Sequence, residues 1–133
     1  WRPLGARHTL TSRIEGPFES RPSLPFVSVH PMREKLRVEH VQVCITASGR
    51  GDMLGVTVRS PRGSVGELNR ATSRVSRAGC AFTDWCFTSL AHWGEASDGA
   101  WVVDFESWSV VSVEYVEVRV FGSYDSHGFF GCA

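Results

Sequence analysis

The feature that most constrains this chain is a two-residue alternation of apolar side chains that recurs along it. In "VEHVQVCITA", Val41, Val43, Ile45 and Ala47 fall on one face, with Gln42, Cys44 and Thr46 on the other. "MLGVTVRS" places Leu54, Val56 and Val58 together, and "AWVVDFES" does the same for Trp101, Val103 and Phe105, leaving Asp104 and Glu106 outward. Alternation at this period is the mark of strands with one buried face. Two runs change phase. Leu36 and Val38 have the opposite parity to Val41, and in "SVEYVEVRVFG" the apolar parity switches between Tyr115 and Val116. Each switch predicts a bulge or bend.

Turn chemistry separates these runs. Gly49-Arg50-Gly51-Asp52, Ser60-Pro61-Arg62-Gly63 and Ser97-Asp98-Gly99 combine residues that tolerate tight turns. No window carries a sustained helical period with caps. Residues 1–35 hold five of the six prolines and read as less regular, with short strands expected near His8–Ile14 and Phe26–His30. The expectation is an all-β fold, an antiparallel jelly-roll or β-sandwich-like barrel of about eight strands.

A length of 133 residues fits one domain with its own hydrophobic core. No apolar run is long enough to span a membrane as a helix. The chain begins at Trp1, without an initiator Met or a charged-then-apolar leader, and reads as a piece of a longer product. Net charge is zero but unevenly spread. Residues 1–90 hold 13 basic and 7 acidic groups, and residues 91–133 hold Arg119 against 7 acids. A surface with two charged sides is expected; the sharper alternative is a bipolar surface that orients a partner. A domain that is not basic is a poor nucleic-acid binder. Arg70, Arg74 and Arg77 read as a solvated loop.

Cys44, Cys80, Cys86 and Cys132 form no Cys-x-x-Cys pair and no zinc-finger spacing. Two disulfides allow three connectivities, between which the sequence does not choose; a buried free thiol at Cys44 in mid-strand is the competing expectation. Asp98, Asp104, Glu106 and Asp125 are available oxygen ligands, but no loop spaces them as a calcium site does, so no metal is assigned. The chain has no Gly-x-Ser-x-Gly elbow, phosphate loop or His-Glu-x-x-His, and no catalytic residue is assigned. His8, His30, His40, His92 and His127 read as surface or packed histidines.

One stretch is far more specific. It runs Phe82-x-Asp84-Trp85-x-Phe87, five residues, Trp93-Gly94-Glu95, three residues, then Gly99-x-Trp101. Upstream lie "LRVEHVQVCIT" and "RGDMLGVTVRSPRG", and downstream "EVRVFGS". Together these resemble the P domain, or Homo B domain, of subtilisin/kexin-like proprotein convertases. The resemblance covers about Leu36 to Ser123. It departs from the family pattern in the arginine-rich residues 69–81, in Cys86 and Cys132, and in His92 directly before Trp93.

The resemblance implies a non-catalytic module that packs beside a subtilisin-like catalytic domain in the same polypeptide, stabilising and regulating it. The parent would be a calcium-dependent serine endopeptidase of the secretory pathway, extracellular or membrane-anchored. Calcium belongs to the parent, and this chain is expected to hold no cofactor. Residues 1–35 would be an irregular N-terminal part with room for a linker from the catalytic domain, 36–123 the domain core and 124–133 a tail. Among the signature residues, Phe87 and Trp101 are expected in the core and Trp85 and Trp93 nearer the interface. Glu95 is expected to accept hydrogen bonds within a turn, and Asp84 is a further signature candidate. Arg50-Gly51-Asp52 reads as a hairpin turn, because turn chemistry alone accounts for all three residues. The alternative is a jelly-roll binding or adhesion module of another secreted or surface protein.

Overall fold

The structure, a computed structural model, describes residues 7–49, 54–70 and 82–124. Eight strands run through them: β1 (His8–Ser20), β2 (Val27–Met32), β3 (Leu36–Gly49), β4 (Leu54–Arg59), β5 (Val65–Asn69), β6 (Phe82–Ser89), β7 (Gly99–Ser107) and β8 (Val111–Tyr124). They form two four-stranded antiparallel sheets, ordered β1-β8-β3-β6 and β2-β7-β4-β5. β1 packs over β2 and β5 over β6, which closes the jelly-roll sandwich along both edges. No helix among the described residues is long and apolar enough to cross a membrane.

The alternating runs meet in the core. Val41, Val43, Ile45 and Ala47 of β3 and Val111, Val113, Val116, Val118 and Val120 of β8 face Leu54, Val56 and Val58 of β4 and Trp101, Val103 and Phe105 of β7. β-Branched residues dominate because a pleated, one-face-buried surface suits them. Both expected phase changes occur. Glu39 is an extra residue on β3, between the pairs Val38↔Gly122 and His40↔Phe121. On β8 the extra residue is Glu114, between Thr46↔Tyr115 and Ala47↔Val113, one residue before the predicted switch. An extra residue turns the following side chains to the opposite face, which is why parity reports it.

The short strands expected near His8–Ile14 and Phe26–His30 form as β1 and β2, run longer than expected, and pair along β8 and β7. Their alternation is carried by Ser, Thr, His and Gly as well as by apolar residues, so hydrophobic periodicity reads only part of each strand. Cys44 is not a free thiol. It stands directly across from Cys86 on the next strand and forms a disulfide with it, the Cα atoms 4.0 Å apart. Cys80 and Cys132 lie outside the described residues. Among the described residues the early bases and the late acids are interleaved. β7 and β8, which carry most of the late acids, each lie inside a sheet between strands from the basic part of the chain. Arg13–Glu117 and Arg62–Asp98 then bridge the two parts.

The disulfide links positions 42 residues apart in sequence. Closing a loop of that size restricts the unfolded chain, and removing such a link costs about 2–4 kcal/mol. The double variant Cys44→Ala/Cys86→Ala is expected to unfold at correspondingly lower denaturant with the native fold retained. An unchanged midpoint would show that the bond restrains nothing the sheet does not already hold.

Candidate functional site

The signature stretch occupies β6, the turn after it and the start of β7. β6 is an edge strand, and between Ile45↔Trp85 and Ala47↔Phe82 it carries one residue more than β3. Asp84 absorbs this with a φ of 46°, a left-handed conformation that Asp and Asn adopt more readily than most residues. Three contacts hold it there. Its N–H donates to Thr46 Oγ1 at 2.9 Å, and its Oδ1 accepts from Tyr115 Oη at 2.7 Å and from Thr46 Oγ1 at 3.4 Å. Burial and the Asp84 carboxylate push the Tyr115 phenol up from its ordinary pKa, so it stays a donor. The Arg13 guanidinium lies 3.7 Å over the Tyr115 ring and pairs with Glu15 at 2.5 Å. Asp84 is therefore the anchor of a β-bulge.

Phe82, Trp85 and Phe87 form one aromatic cluster, with centroids 5.5–6.4 Å apart. Phe82 and Phe87 pack against the core, while Trp85 remains 52% exposed at the sheet edge. Trp101 is fully buried, and its indole N–H donates to the Ser97 carbonyl at 2.9 Å. Trp93 is 69% exposed. The turn that carries it is tied to the start of β3. Gly94 N–H donates to the Val38 carbonyl and Val38 N–H to the Glu95 carbonyl, both at 2.8 Å, and Ser97 N–H donates to the Leu36 carbonyl at 3.0 Å. Gly99 then opens β7 at φ 123°, a conformation that strains side-chain-bearing residues.

Glu95 points into a polar group that the sequence reading did not assemble. Its Oε1 accepts from Ser60 Oγ at 2.6 Å and its Oε2 accepts from Ser64 Oγ. Ser64 Oγ also lies 2.7 Å from His92 Nδ1. A hydroxyl has one proton, and a carboxylate only accepts, so Ser64 gives its proton to Glu95 and His92 Nδ1–H donates to Ser64. His92 is fully buried, edge-on to Trp101 with centroids 5.1 Å apart. Its Nε2 has no partner among the described residues. A Cβ on Gly66 would clash with Ser89 Oγ and stand 3.3 Å from that nitrogen, so glycine keeps the space beside it open.

This Ser–His–Glu set does not have the polarity of a catalytic triad. A nucleophilic serine gives its proton to a histidine nitrogen, whereas here the histidine donates to the serine and the serine to the carboxylate. The chemistry is that of a buried hydrogen-bond lock joining the Ser60–Ser64 turn to the Leu90–Ser97 turn. The residues lie 28 and 31 positions apart, so no local motif links them; the signal available in sequence was the serine pair flanking Pro61 and Gly63. No group of three His, Cys, Asp or Glu among the described residues is arranged to hold a metal. Arg50-Gly51-Asp52 lies outside the described residues.

With this geometry in view, the relatives are informative. The family model described as the proprotein convertase P-domain matches residues 30–122. Kexin from Candida albicans is 44% identical over 71 residues, covering 51% of this chain and 7% of that protein. Kexin from Saccharomyces cerevisiae is 34% identical over 107 residues, covering 65% of this chain and 13% of that protein. The chain thus spans a small part of these relatives. Among solved structures, the Aeromonas sobria serine protease in complex with a chaperone superimposes with a TM-score of 0.75 at 16% identity, covering 94% of this chain and 28% of that one. At that identity the likeness is one of fold.

Burial pushes both His92 and His30 below the ordinary histidine pKa of 6.5, against an opposing pull from Glu95 at His92 and from the Ser12 backbone at His30. His30 donates from Nδ1 to the Ser12 carbonyl at 3.3 Å and accepts at Nε2 from Ser28 Oγ at 2.8 Å. Below pH 6.5 the unfolded chain binds protons that the folded chain refuses, so stability is complete above about pH 6.5 and falls as the medium acidifies. The slope reaches at most about 1.4 kcal/mol per pH unit for each histidine. The melting temperature is expected to drop between about pH 7 and pH 5, and His92→Asn, which keeps a donor for Ser64, is expected to flatten the drop. A flat profile in the unmodified chain would contradict the assignment.

Proposed function

Because this chain belongs to the proprotein convertase P-domain family, we propose that it is the non-catalytic module of a kexin- or furin-like, calcium-dependent serine endopeptidase. In this reading it stabilises and regulates a subtilisin-like catalytic domain in the same polypeptide, within the secretory pathway or at the cell surface. The observation that carries the reading is how the signature residues divide. Asp84, Phe87, Glu95 and Trp101 are used up inside the domain, as bulge anchor, core contact, turn lock and buried indole. Trp85 and Trp93 leave half or more of their surface exposed. Exposed indoles are large apolar areas whose burial against a partner is favourable.

A rigid β module that covers apolar surface on its neighbour stabilises only the neighbour's native state, and so shifts its folding by mass action. Interfaces between domains of one chain bury on the order of 600–1,500 Å². Two tryptophans with their surroundings would form a substantial part of such an area.

The test uses the full parent protein. Removing this domain is expected to abolish secreted protease activity. Trp93→Ala is expected to lower the catalytic domain's melting temperature by a few degrees, while leaving the 133-residue chain alone within about 0.5–1 kcal/mol of its original stability. A coding frame upstream of Trp1 without subtilisin-like Asp, His and Ser signatures, or full activity after removal of the domain, would overturn the reading. The binding-module alternative would then lead.

A further inference from the structure

A cavity of about 250 Å³ opens at one end of the sandwich, between the β1–β2 turn and the end of β7. Arg21, Pro22, Pro25, Glu106, Ser107 and Trp108 line it. None of these belongs to the signature stretch. The walls are fixed. Arg21 and Leu24 exchange backbone hydrogen bonds at 3.2 and 3.1 Å across the Pro22–Ser23 turn. Ser107 is buried, and its Oγ donates to Ser20 Oγ at 3.2 Å. Trp108 nevertheless remains 57% exposed. Small-molecule pockets start at about 300 Å³, so this space suits one side chain better than a whole ligand.

Charge decides which side chain. Arg21 is already neutralised, its Nη2 2.7 Å and its Nε 3.2 Å from Glu19 Oε1. Glu106 has no hydrogen-bond or ion-pair partner among the described residues, and neither has Asp104, the next outward acid on β7. The uncompensated charge at the cavity is therefore negative. Glu19 takes only the Nε–H and one Nη2–H of the Arg21 guanidinium, so a neutral polyol would find donors as well as acceptors here, but it would gain nothing from the uncompensated charge. An anion would meet Glu106 without compensation.

We propose that this cavity is a subsite for the side chain of an arginine or lysine in an extended segment of a partner polypeptide. The methylene stem lies against Pro22 and Pro25. The cationic head takes the face of Trp108, where a ring quadrupole attracts positive charge, and the Glu106 carboxylate supplies the counter-charge. The site does not depend on the catalytic-domain reading above, because it uses neither Trp85 nor Trp93.

The test is a titration of the 133-residue chain followed by NMR at the five indole N–H signals, four of which serve as internal controls. The probes are acetyl-Gly-Arg-Gly-amide, the same peptide with citrulline in place of arginine, and methyl α-mannopyranoside. The Arg peptide is expected to shift the Trp108 signal saturably and the citrulline peptide not to. Added salt is expected to weaken the response. Trp108→Ala, read at neighbouring amides, is expected to weaken binding about threefold to thirtyfold. Glu106→Gln is expected to weaken it about twofold to fivefold. Both residues are exposed, and unchanged melting temperatures in the variants confirm that the fold is intact. No saturable shift at millimolar Arg peptide, or an equal response to citrulline, overturns the proposal. A response to the sugar without one to the Arg peptide overturns it in favour of a neutral ligand.

Discussion

The first sheet depends on a single row of irregularity that crosses all four of its strands. β1 departs from register at Gly16-Pro17, β8 at Glu114, and β6 at Thr83-Asp84, all level with Thr46 of β3. Each extra residue alone would shift one strand relative to its neighbours and send its apolar side chains outward. Each strand absorbs its extra residue locally at this row, so that inward residues stay inward on both sides of it. Asp84 pins the row by accepting from Tyr115 on β8 and from Thr46 on β3, while Arg13 of β1 covers Tyr115. The contacts therefore reach every strand of the sheet. A hydrophobic side chain at 84 would leave the Tyr115 hydroxyl without its acceptor at a place where the backbone already adopts an uncommon φ.

The second fixed point lies at the opposite end of β6. There the Leu90–Ser97 turn must join the two sheets, and the lock of Ser60, Ser64, His92 and Glu95 does so through hydrogen bonds that run from His92 to Ser64 and from both serines to Glu95. Such a network specifies one arrangement, because leaving any member unpaired in the interior is costly. The cost it retains is the His92 Nε2 lone pair, which has no partner among the described residues. The same nitrogen makes the turn sensitive to acid, since a second proton would arrive where nothing accepts it.

What was legible in the sequence follows from which interactions are local. Period-two alternation depends only on neighbours along the chain, so β3, β4, β7 and β8 could be read directly, as could the bulge at Glu39 and, one residue displaced, that at Glu114. β1 and β2 were partly hidden, because their inward positions include Ser28, His30 and Ser12; Ser28 bonds to His30 within β2, and His30 bonds to Ser12 across to β1. The Cys44–Cys86 bond needed the β3–β6 register, which the alternation of either strand alone does not set. Trp101 was legible as core because it shares parity with Val103 and Phe105, whereas Phe87 was placed there by the family resemblance and not by alternation. The partner of Glu95 was not legible, since the serines that meet it arrive from the β4–β5 turn.

The charge distribution shows the same limit. A chain with its bases early and its acids late would present two charged sides if its halves folded as successive layers. A jelly roll interleaves them instead: β8 lies between β1 and β3, and β7 between β2 and β4. Acids of the central strands are thus flanked by the early part of the chain, and a carboxylate that finds an arginine there, as Glu117 does with Arg13 and Arg119, is spent on structure. Charge that escapes this pairing is informative for that reason. Glu106 lies near the end of its strand, beside a half-exposed indole, and the arginine that shares its cavity is paired with Glu19. Topology, more than composition, determines where this protein has charge left to offer a partner.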